Sequence, residues 1–406
     1  MARRQIINAL DIGTGSIKAL CVARDPKEET FELLGKEEIS PLGLTRGVVV
    51  DPAKVAEAIR SLAEKVESNS GQKISDVYAG FGGGHLSSVC ANSSVSVSRA
   101  DNKISQGDVE RVINEAKVFP LPSNQEIVAV FPKEYIVDSG EKVKDVLGMQ
   151  GVKLETNVLA ICCFSPYLNN SKQAILKSDL QIGELIPNPL ASARAVLTPK
   201  EKELGVVVLD IGAATTDMAI YEEGDLIHVA VFPVGSGHIT NDIAVSFKTD
   251  IDIAEKIKLD FAGYNKNSSK SRKKQERKIP LEGEDPLLFD QKELDEIVEA
   301  RLSDVFDFAR KEIKKVQKEG NLPAGVVLTG GGAKLPGIKE FAKKNLKLPC
   351  RIGVPETKGC LPSDPAFATS WGLVMEGCSL EEKDKFSRPG GRFKEKIKNF
   401  FRSFIP

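Results

Sequence analysis

The stretch QIINALDIGTGSIKALCVA, residues 5–23, decides the fold, and GVVVLDIGAATTDMAIY, residues 205–221, repeats its pattern. Each stretch runs from an apolar strand into Asp-Ile-Gly, turns through small and hydroxyl-bearing residues, and returns as a second apolar strand. A supersecondary unit that recurs about half a chain later predicts two related lobes.

Composition indicates an ordinary soluble chain of more than one domain. Its 406 residues exceed the ~250–300 at which a single core stops growing. Because 57 acidic residues nearly balance 56 basic ones, no overall field attracts nucleic acid, and we expect no nucleic-acid partner. No apolar run approaches the ~20 residues of a spanning helix, and none forms a signal peptide, so we expect a cytoplasmic protein. The seven scattered cysteines lack metal-binding spacing and predict reduced, buried thiols.

The first turn carries the groups that a phosphate site needs. Glycines let the turn bring backbone N–H groups against a phosphate, while hydroxyls and a lysine add donors. Asp11 cannot bind phosphate directly, and its expected role is to hold Mg²⁺ through water. The candidate phosphate contacts of this turn are Gly13, Thr14, Gly15, Ser16 and Lys18.

The second turn offers matching groups, with Asp210 as the second candidate for Mg²⁺ and phosphate contacts at Gly212, Ala213, Ala214, Thr215 and Thr216. A third element, VVLTGGGAKLPGI at 326–338, is an apolar strand that enters three glycines, Gly330, Gly331 and Gly332. A nucleoside could lie flat against that backbone. Each glycine cluster alone is as readily explained by a tight turn without ligand. The three in this order predict a nucleotide site, and neither a Walker loop nor a Rossmann fingerprint fits them.

The order of these motifs resembles the superfamily of actin, the sugar kinases and the heat-shock ATPases. The resemblance implies an α/β, two-lobed actin-like fold with ATP and Mg²⁺ in the cleft and connecting helices at 185–197 and 365–375. It also implies that Glu255 and Lys258 contact the ribose, although both could equally form an exposed helix pair. Gly235 is a further candidate nucleotide contact.

Within that superfamily the chain resembles the FtsA family of bacterial cell-division actins. The residues that carry this resemblance are VFPKEYIVDSGEKVKDVLGMQGVKLE (130–155), IPNPLASARAVLTPKEKELGVVVLDIG (186–212) and LPAGVVLTGGGAKLPGI (322–338). The resemblance implies polymerisation, binding of the FtsZ C-terminal tail, and contacts of an insert, residues 85–162, with later division proteins. Lys292 and Arg301, on a predicted helix at 291–319, are candidate contacts for the acidic FtsZ tail; a solvated helix face is the alternative.

Two departures from the superfamily pattern predict that ATP is bound but hydrolysed slowly or not at all. Ala213 and Ala214 stand where the second turn usually has glycines, and their methyl groups limit the approach of backbone to phosphate. Asn188 stands where related ATPases carry Glu or Gln to orient the attacking water, and its side chain is one methylene shorter. A helix-cap role for Asn188 is the alternative.

The C-terminal segment GRFKEKIKNFFRSFIP, residues 391–406, has the pattern of an amphipathic helix that lies on a membrane. Its apolar stripe consists of Phe393, Ile397, Phe400, Phe401 and Phe404, and its basic face includes Lys394, Lys396, Lys398 and Arg402. At ~21 Å such a helix is too short to span ~30 Å of hydrocarbon, so we expect peripheral binding to anionic lipid on the inner face of the cell membrane. Docking onto the protein's own core or onto a partner's groove is the alternative.

These patterns predict the following division of the chain: a first lobe at 1–84, 163–196 and 361–378; a separate α+β insert at 85–162; a second-lobe core at 197–250 and 321–360; an outer subdomain at 251–320; a linker at 379–391; and the membrane helix at 392–406. The favoured function is an actin-like adaptor of cell division. A small-molecule kinase of the same fold and an actin-like adaptor of pilus or secretion assembly are the alternatives.

Overall fold

The computed structural model describes residues 4–264, 276–280, 286–318, 320–361 and 363–386. Its strands are β1 (Gln5–Ile12), β2 (Ile17–Asp25), β3 (Thr30–Ile39), β4 (Leu44–Thr45), β5 (Val48–Val49), β6 (Asp76–Phe81), β7 (Ser87–Ser96), β8 (Gln125–Val137), β9 (Lys142–Val143), β10 (Lys153–Phe164), β11 (Gln181–Pro187), β12 (Val206–Ile211), β13 (Thr216–Glu222), β14 (Asp225–Phe232), β15 (Glu276–Ile279), β16 (Leu287–Asp290), β17 (Gly325–Thr329) and β18 (Cys350–Ile352). Its helices are α1 (Pro52–Ser70), α2 (Gln106–Glu115), α3 (Ser165–Lys177), α4 (Asn188–Val196), α5 (Pro199–Leu204), α6 (Gly237–Phe247), α7 (Ile251–Phe261), α8 (Gln291–Lys315), α9 (Ile338–Leu346) and α10 (Ala368–Phe386).

The two predicted lobes have the same strand topology. In the first, the sheet order is β11-β6-β1-β2-β3, with β1, β2 and β3 antiparallel and β6 and β11 parallel to β1. In the second, the order β18-β17-β12-β13-β14 repeats this arrangement strand for strand. The prediction of two related lobes from the repeated hairpin is therefore confirmed.

The predicted insert contains the expected strands and helix, but its sheet is not separate from the second lobe. Its strands β7, β10, β8 and β9 extend the second sheet into a mixed sheet of nine strands among the described residues. The junction is narrow, since β14 and β7 pair only through Ala230 and Ser87. Insert residues Phe131 and Leu159 also belong to the same apolar core as residues of both lobes, so packing supplements this small number of strand contacts.

The two connecting helices α4 and α10 cross at a glycine. A Cβ atom on Gly372 would overlap the backbone carbonyl of Ala191, so only glycine allows this approach. Just beside the crossing, the only tryptophan, Trp371, is 1% exposed. This contact joins one helix that follows the first sheet to another that follows the second.

The prediction that a linker begins at residue 379 is wrong for residues 379–386, because α10 continues through Phe386. Leu380 is buried in the core, and Arg24 binds Glu382 at 2.5 Å, so packing and an ion pair both extend the helix. The remainder of the linker and the predicted membrane helix lie outside the described residues, as does most of a segment rich in lysine and arginine at 263–278.

All seven cysteines are free thiols, but Cys90 is exposed and Cys360 is half-buried, so the prediction that all are buried is wrong. Cys90 lies on β7, a strand in which no residue is fully buried. Among the described residues, no helix has the length and apolar character needed to cross a membrane.

We predict that Gly372→Ala lowers the free energy of unfolding by about 1–3 kcal/mol, because the added methyl group overpacks the crossing of α4 and α10. Urea denaturation followed by Trp371 fluorescence measures this change. The matched control is Gly107→Ala in α2, where the nearest atom to the new methyl would be 3.7 Å away, so stability should stay equal or rise. Equal stability of Gly372→Ala and the wild type would contradict the prediction.

Candidate nucleotide site

The two predicted phosphate turns meet face to face. A Cβ on Gly15 would lie 3.0 Å from the Cβ of Ala213, so the first turn fits against the second only because residue 15 is glycine. The backbone of the second turn is held from behind, where Gly237 donates its N–H to the carbonyl of Ala213 at 2.8 Å. The two repeated sequence motifs thus form two backbone turns that face each other across the cleft.

A cavity of about 260 Å³ opens between these turns and the ends of β11 and β17. Most of the predicted contacts line it: Asp11, Gly13, Thr14, Gly15, Ser16, Lys18, Asp210, Gly212, Ala213, Thr215, Gly330 and Gly331. The structure adds lining residues that the sequence analysis did not single out as contacts: Glu38, Asp217, Ser236, Ala366 and Thr369. Asn188, which stands where related ATPases orient the attacking water, also lines the cavity.

Asp11 and Asp210 are held by hydroxyl groups from the first turn of α10. Ser370 donates to Asp11 at 3.1 Å, and Thr369 donates to Asp210 at 2.8 Å. Burial raises the pKa of Asp11, while Lys18, 3.9 Å away, acts in the opposite direction. Burial, with a smaller contribution from the charge of Asp11, raises the pKa of Asp210 to about 6. Both carboxylates therefore occupy a position where a cation would relieve the cost of their charge.

Asp217 is a third aspartate in the same cavity. It pairs across the hairpin with Asp210, as Lys18 pairs with Asp11 in the first lobe. Burial, together with the charges of Asp210 and Asp11, raises the pKa of Asp217 well above its usual value. Its Oδ1 is buried without a hydrogen-bond partner among the described residues. Asp217 could have been predicted from the sequence by pairing the residues of β12 and β13 outward from the turn, which places it opposite Asp210.

Asn188 lies in a pocket made by glycines at the end of β6. A Cβ on Gly82 would lie 2.8 Å from its Nδ2, and a Cβ on Gly80 would overlap its Oδ1. The helix-cap alternative is wrong, because Asn188 is already the first residue of α4 and its side chain makes no capping hydrogen bond. Its Oδ1 is buried without a partner among the described residues, which leaves the carboxamide available to a ligand or water in the cavity.

The glycine-rich third element approaches the cavity as predicted, but its three glycines differ in role. Gly330 has a φ of 82°, and a Cβ there would overlap the carboxylate of Asp210. Gly331 has open space beside it and lines the cavity, so it can face a nucleoside. Gly332 is buried against Ile211 and does not line the cavity.

Several other predicted contacts lie outside the cavity lining. The prediction that the Thr216 hydroxyl meets a phosphate is wrong, because this side chain is fully buried and donates to the carbonyl of Val234 at 2.7 Å. Gly235 instead allows a close backbone crossing, since a Cβ there would lie only 2.5 Å from the carbonyl oxygen of Gly212. Ala214 is half-buried beside the cavity rather than in its wall.

Glu255 and Lys258 form one polar cluster with Thr240. Lys258 binds Glu255 at 2.7 Å, and Thr240 donates to Glu255 at 2.5 Å while accepting from Lys258 at 2.9 Å. Glu255 and Lys258 are on α7, which packs against α6, and neither residue lines the cavity. Their contact with a ribose stays a prediction.

The two candidate contacts for an acidic tail lie on α8. Arg301 is engaged within the chain: it forms two hydrogen bonds with Asp242, at 2.8 and 3.0 Å, and one with Asp304 at 3.0 Å. Lys292 lies 3.7 Å from Glu296 and is exposed. An incoming carboxylate would therefore compete with Asp242 for Arg301 but would find Lys292 largely available.

The residues present fit a nucleotide with its Mg²⁺. Opposed glycine turns offer backbone donors, Asn188 and Asp217 each bring a polar atom that has no partner among the described residues, and carboxylates of raised pKa converge on the cavity. Within the described part of the chain, no group of three or more His, Cys, Asp or Glu side chains forms a self-contained metal site. A cation held by these carboxylates would complete its coordination with waters and phosphate oxygens.

The same fold occurs in solved structures of low sequence identity. A chain of the PilM–PilN type IV pilus biogenesis complex matches with a TM-score of 0.62 at 18% identity, over 92% of this chain and 99% of that one. MreB5 of Spiroplasma citri bound to ADP matches with a TM-score of 0.56 at 14% identity, over 94% of this chain and 99% of that one. The chain therefore has an actin-like fold with two opposed turns at its cleft.

Sequence comparison narrows this class. Residues 207–372 match the family model "Cell division protein FtsA", and residues 83–162 match "SHS2 domain inserted in FTSA". Cell division protein FtsA of Pseudomonas aeruginosa is 33% identical over 92% of this chain and 89% of its own length, and that of Neisseria meningitidis is 34% identical over 93% and 92%. The chain belongs to the FtsA family and is an actin-like cell-division protein.

We predict that Asp210→Asn raises the melting temperature of the nucleotide-free protein more at pH 7.5 than at pH 5. Because the native pKa of about 6 exceeds the usual 3.8, the folded state binds this proton more tightly than the unfolded state. The carboxylate of Asp210 therefore destabilises the fold above pH 6, and this effect fades as the pH falls toward 3.8. At pH 7.5 the gain in unfolding free energy is of order 1–3 kcal/mol.

Thermal unfolding at the two pH values tests this sign. The control Asp260→Asn, on the exposed side of α7, should give the same change at both. A gain for Asp210→Asn that is larger at pH 5 would contradict the prediction.

Proposed function

We propose that this cell-division protein binds ATP with Mg²⁺, polymerises on the inner face of the cytoplasmic membrane, anchors FtsZ filaments there and recruits later division proteins through its insert. The observation that carries the nucleotide part is the contact of the two phosphate turns around one cavity, Gly15 against Ala213. Membership of the FtsA family supports the division role and disfavours a small-molecule kinase or a pilus adaptor.

The residues that would hold the nucleotide follow from the cavity lining. Backbone N–H groups of both turns and the hydroxyls of Thr14, Ser16 and Thr215 would bind phosphate oxygens, and Lys18 would add charge. Asp11 and Asp210 would hold Mg²⁺ through water, and a bound Mg²⁺ would supply positive charge between the phosphates and these acids. The nucleoside would lie along Gly330 and Gly331.

Slow hydrolysis is part of this proposal. Asn188 is backed by Gly80 and Gly82, so a longer side chain has room only toward the cavity. The Asn side chain is one methylene shorter than that of Gln. Because an attacking water must be placed to within ~1 Å, this difference is enough to slow hydrolysis.

We predict that Asn188→Gln raises the ATP turnover number several-fold over the wild type, because the added methylene carries the carboxamide toward the attacking water. Steady-state phosphate release measures this effect. The control Asn188→Ala removes the carboxamide and should not raise turnover. A wild-type rate near the ~10 s⁻¹ typical of metabolic enzymes would contradict the proposal of slow hydrolysis.

Membrane attachment is proposed from the pattern of residues 392–406, which lie outside the described structure. Phenylalanines on one face would enter the lipid, and each Lys or Arg near an anionic surface contributes about 1 kcal/mol. A single tail would therefore bind reversibly, while a filament with many tails would bind firmly.

Binding of the acidic FtsZ tail is proposed at the N-terminal half of α8. Lys292 is exposed there, and Arg301 is paired with Asp242 and Asp304, so a tail carboxylate would have to replace an internal partner. Such an exchange suits reversible binding, because the arginine remains paired in both states.

We predict that the full chain carries a labelled FtsZ C-terminal peptide into the pellet when sedimented with anionic liposomes. Phe400→Asp with Phe401→Asp should abolish this recruitment, because charge on the apolar stripe prevents insertion. The same variant should still bind the peptide in solution, which separates the membrane function from the partner function. Retained sedimentation of the double variant would refute membrane attachment by this segment.

A further inference from the structure

A small hairpin that does not line the cavity reaches the place where the two phosphate turns meet. Its strands β4 and β5 pair through Leu44 with Val49 and Thr45 with Val48, which leaves Arg46 and Gly47 as the turn. Both turn residues have positive φ, 50° and 79°. This combination is typical of tight two-residue hairpins, whose tips are narrow enough to enter a crowded site.

The tip of this hairpin makes one hydrogen bond to the nucleotide site. The backbone N–H of Gly47 donates to Oγ1 of Thr14 at 2.9 Å. A hydroxyl has one proton and two acceptor lone pairs, so an N–H on one lone pair turns the proton away from the donor. Thr14 lines the cavity, and no acceptor for its proton is found among the described residues.

The position also requires glycine. A Cβ on residue 47 would lie 3.0 Å from the Cγ2 of Thr215 and 3.1 Å from the Cα of Gly83. The tip therefore fits between the first phosphate turn, the second phosphate turn and the loop that leads into the insert. A side chain at residue 47 would push the hairpin away from Thr14.

We propose that Gly47 is a positioning residue for the nucleotide phosphates. Its N–H orients the Thr14 hydroxyl so that the proton of Thr14 points into the cavity and is donated to a phosphate oxygen. The inference rests on the proposed binding of ATP, and it extends that site to a glycine that touches no ligand itself. Contact with Thr215 makes the same residue a spacer between the turns of the two lobes.

A double-mutant cycle on the full chain tests this role through the dissociation constant of MgATP, measured by isothermal titration calorimetry. Thr14→Val removes the hydroxyl at nearly constant shape, and Gly47→Ala displaces the N–H. Each should weaken binding about tenfold, the loss expected for one hydrogen bond to a charged group. Combined, they should bind little more weakly than Thr14→Val alone, because the effect of Gly47 passes through Thr14.

Two controls separate positioning from general damage to the hairpin. Gly43→Ala strains the same hairpin, since Gly43 has a φ of 84° and its Cβ would lie 2.8 Å from the carbonyl oxygen of Asp51. It should leave MgATP affinity within about twofold of the wild type, because it touches neither phosphate turn. Thr14→Ser keeps the hydroxyl and should lose much less affinity than Thr14→Val.

Hydrogen exchange supplies a measurement that needs no substitution at residue 47. Without nucleotide, the peptide that carries Gly47 should exchange faster in Thr14→Val than in the wild type, and Thr14→Ser should match the wild type. If Gly47→Ala fails to fold, this comparison still tests whether Gly47 is bonded to Thr14. It needs no ATP, so it also distinguishes a failure of this inference from a failure of the proposed function, which would appear as a wild type that binds no ATP. Any of three results would overturn the inference. The losses of MgATP affinity in the cycle could be additive, or Gly43→Ala could lose as much affinity as Gly47→Ala. The third is an exchange rate of the Gly47 peptide that is the same in Thr14→Val as in the wild type.

Discussion

Three buried aspartates converge where the two lobes meet, and the cleft depends on the fold holding them there. Asp11, Asp210 and Asp217 are 6%, 9% and 7% exposed. Burial raises the pKa of each, and the charges of Asp11 and Asp210 raise that of Asp217 further. Ionising several carboxylates together in one cavity away from water is costly, so a ligand of the right charge stabilises this arrangement.

The electrostatic cost of these carboxylates arises because the hairpins of the two lobes differ at one position. Both lobes place an aspartate at the end of the first hairpin strand, but its neighbour across the hairpin is Lys18 in the first lobe and Asp217 in the second. The first lobe therefore neutralises part of its own charge, and the second adds to it. Thr369 and Ser370 of α10 then tie one aspartate of each lobe to a single helix, which couples the electrostatics of the cavity to the crossing of α10 with α4.

Local patterns sufficed to predict the hairpins, the glycine-rich element and the helix α8, because each is set by residue spacing. Strand alternation explains one error: consecutive residues face opposite sides, so Thr215 lines the cavity while Thr216 enters the core. The partners of Asp11 and Asp210 on α10 could not be predicted, since they lie 359 and 159 residues away along the chain. Such contacts are fixed by how lobes pack, which no local pattern records.

MgATP, rather than ATP alone, should satisfy the buried carboxylates where the lobes meet. The test is the melting temperature of the full chain with saturating ATP, measured once with Mg²⁺ and once with EDTA. We expect a large rise with MgATP, since a ligand at 100 times its Kd adds about 2.7 kcal/mol, and little rise with EDTA. Equal stabilisation without Mg²⁺, or none with it, would show that these carboxylates do not bind the nucleotide through Mg²⁺.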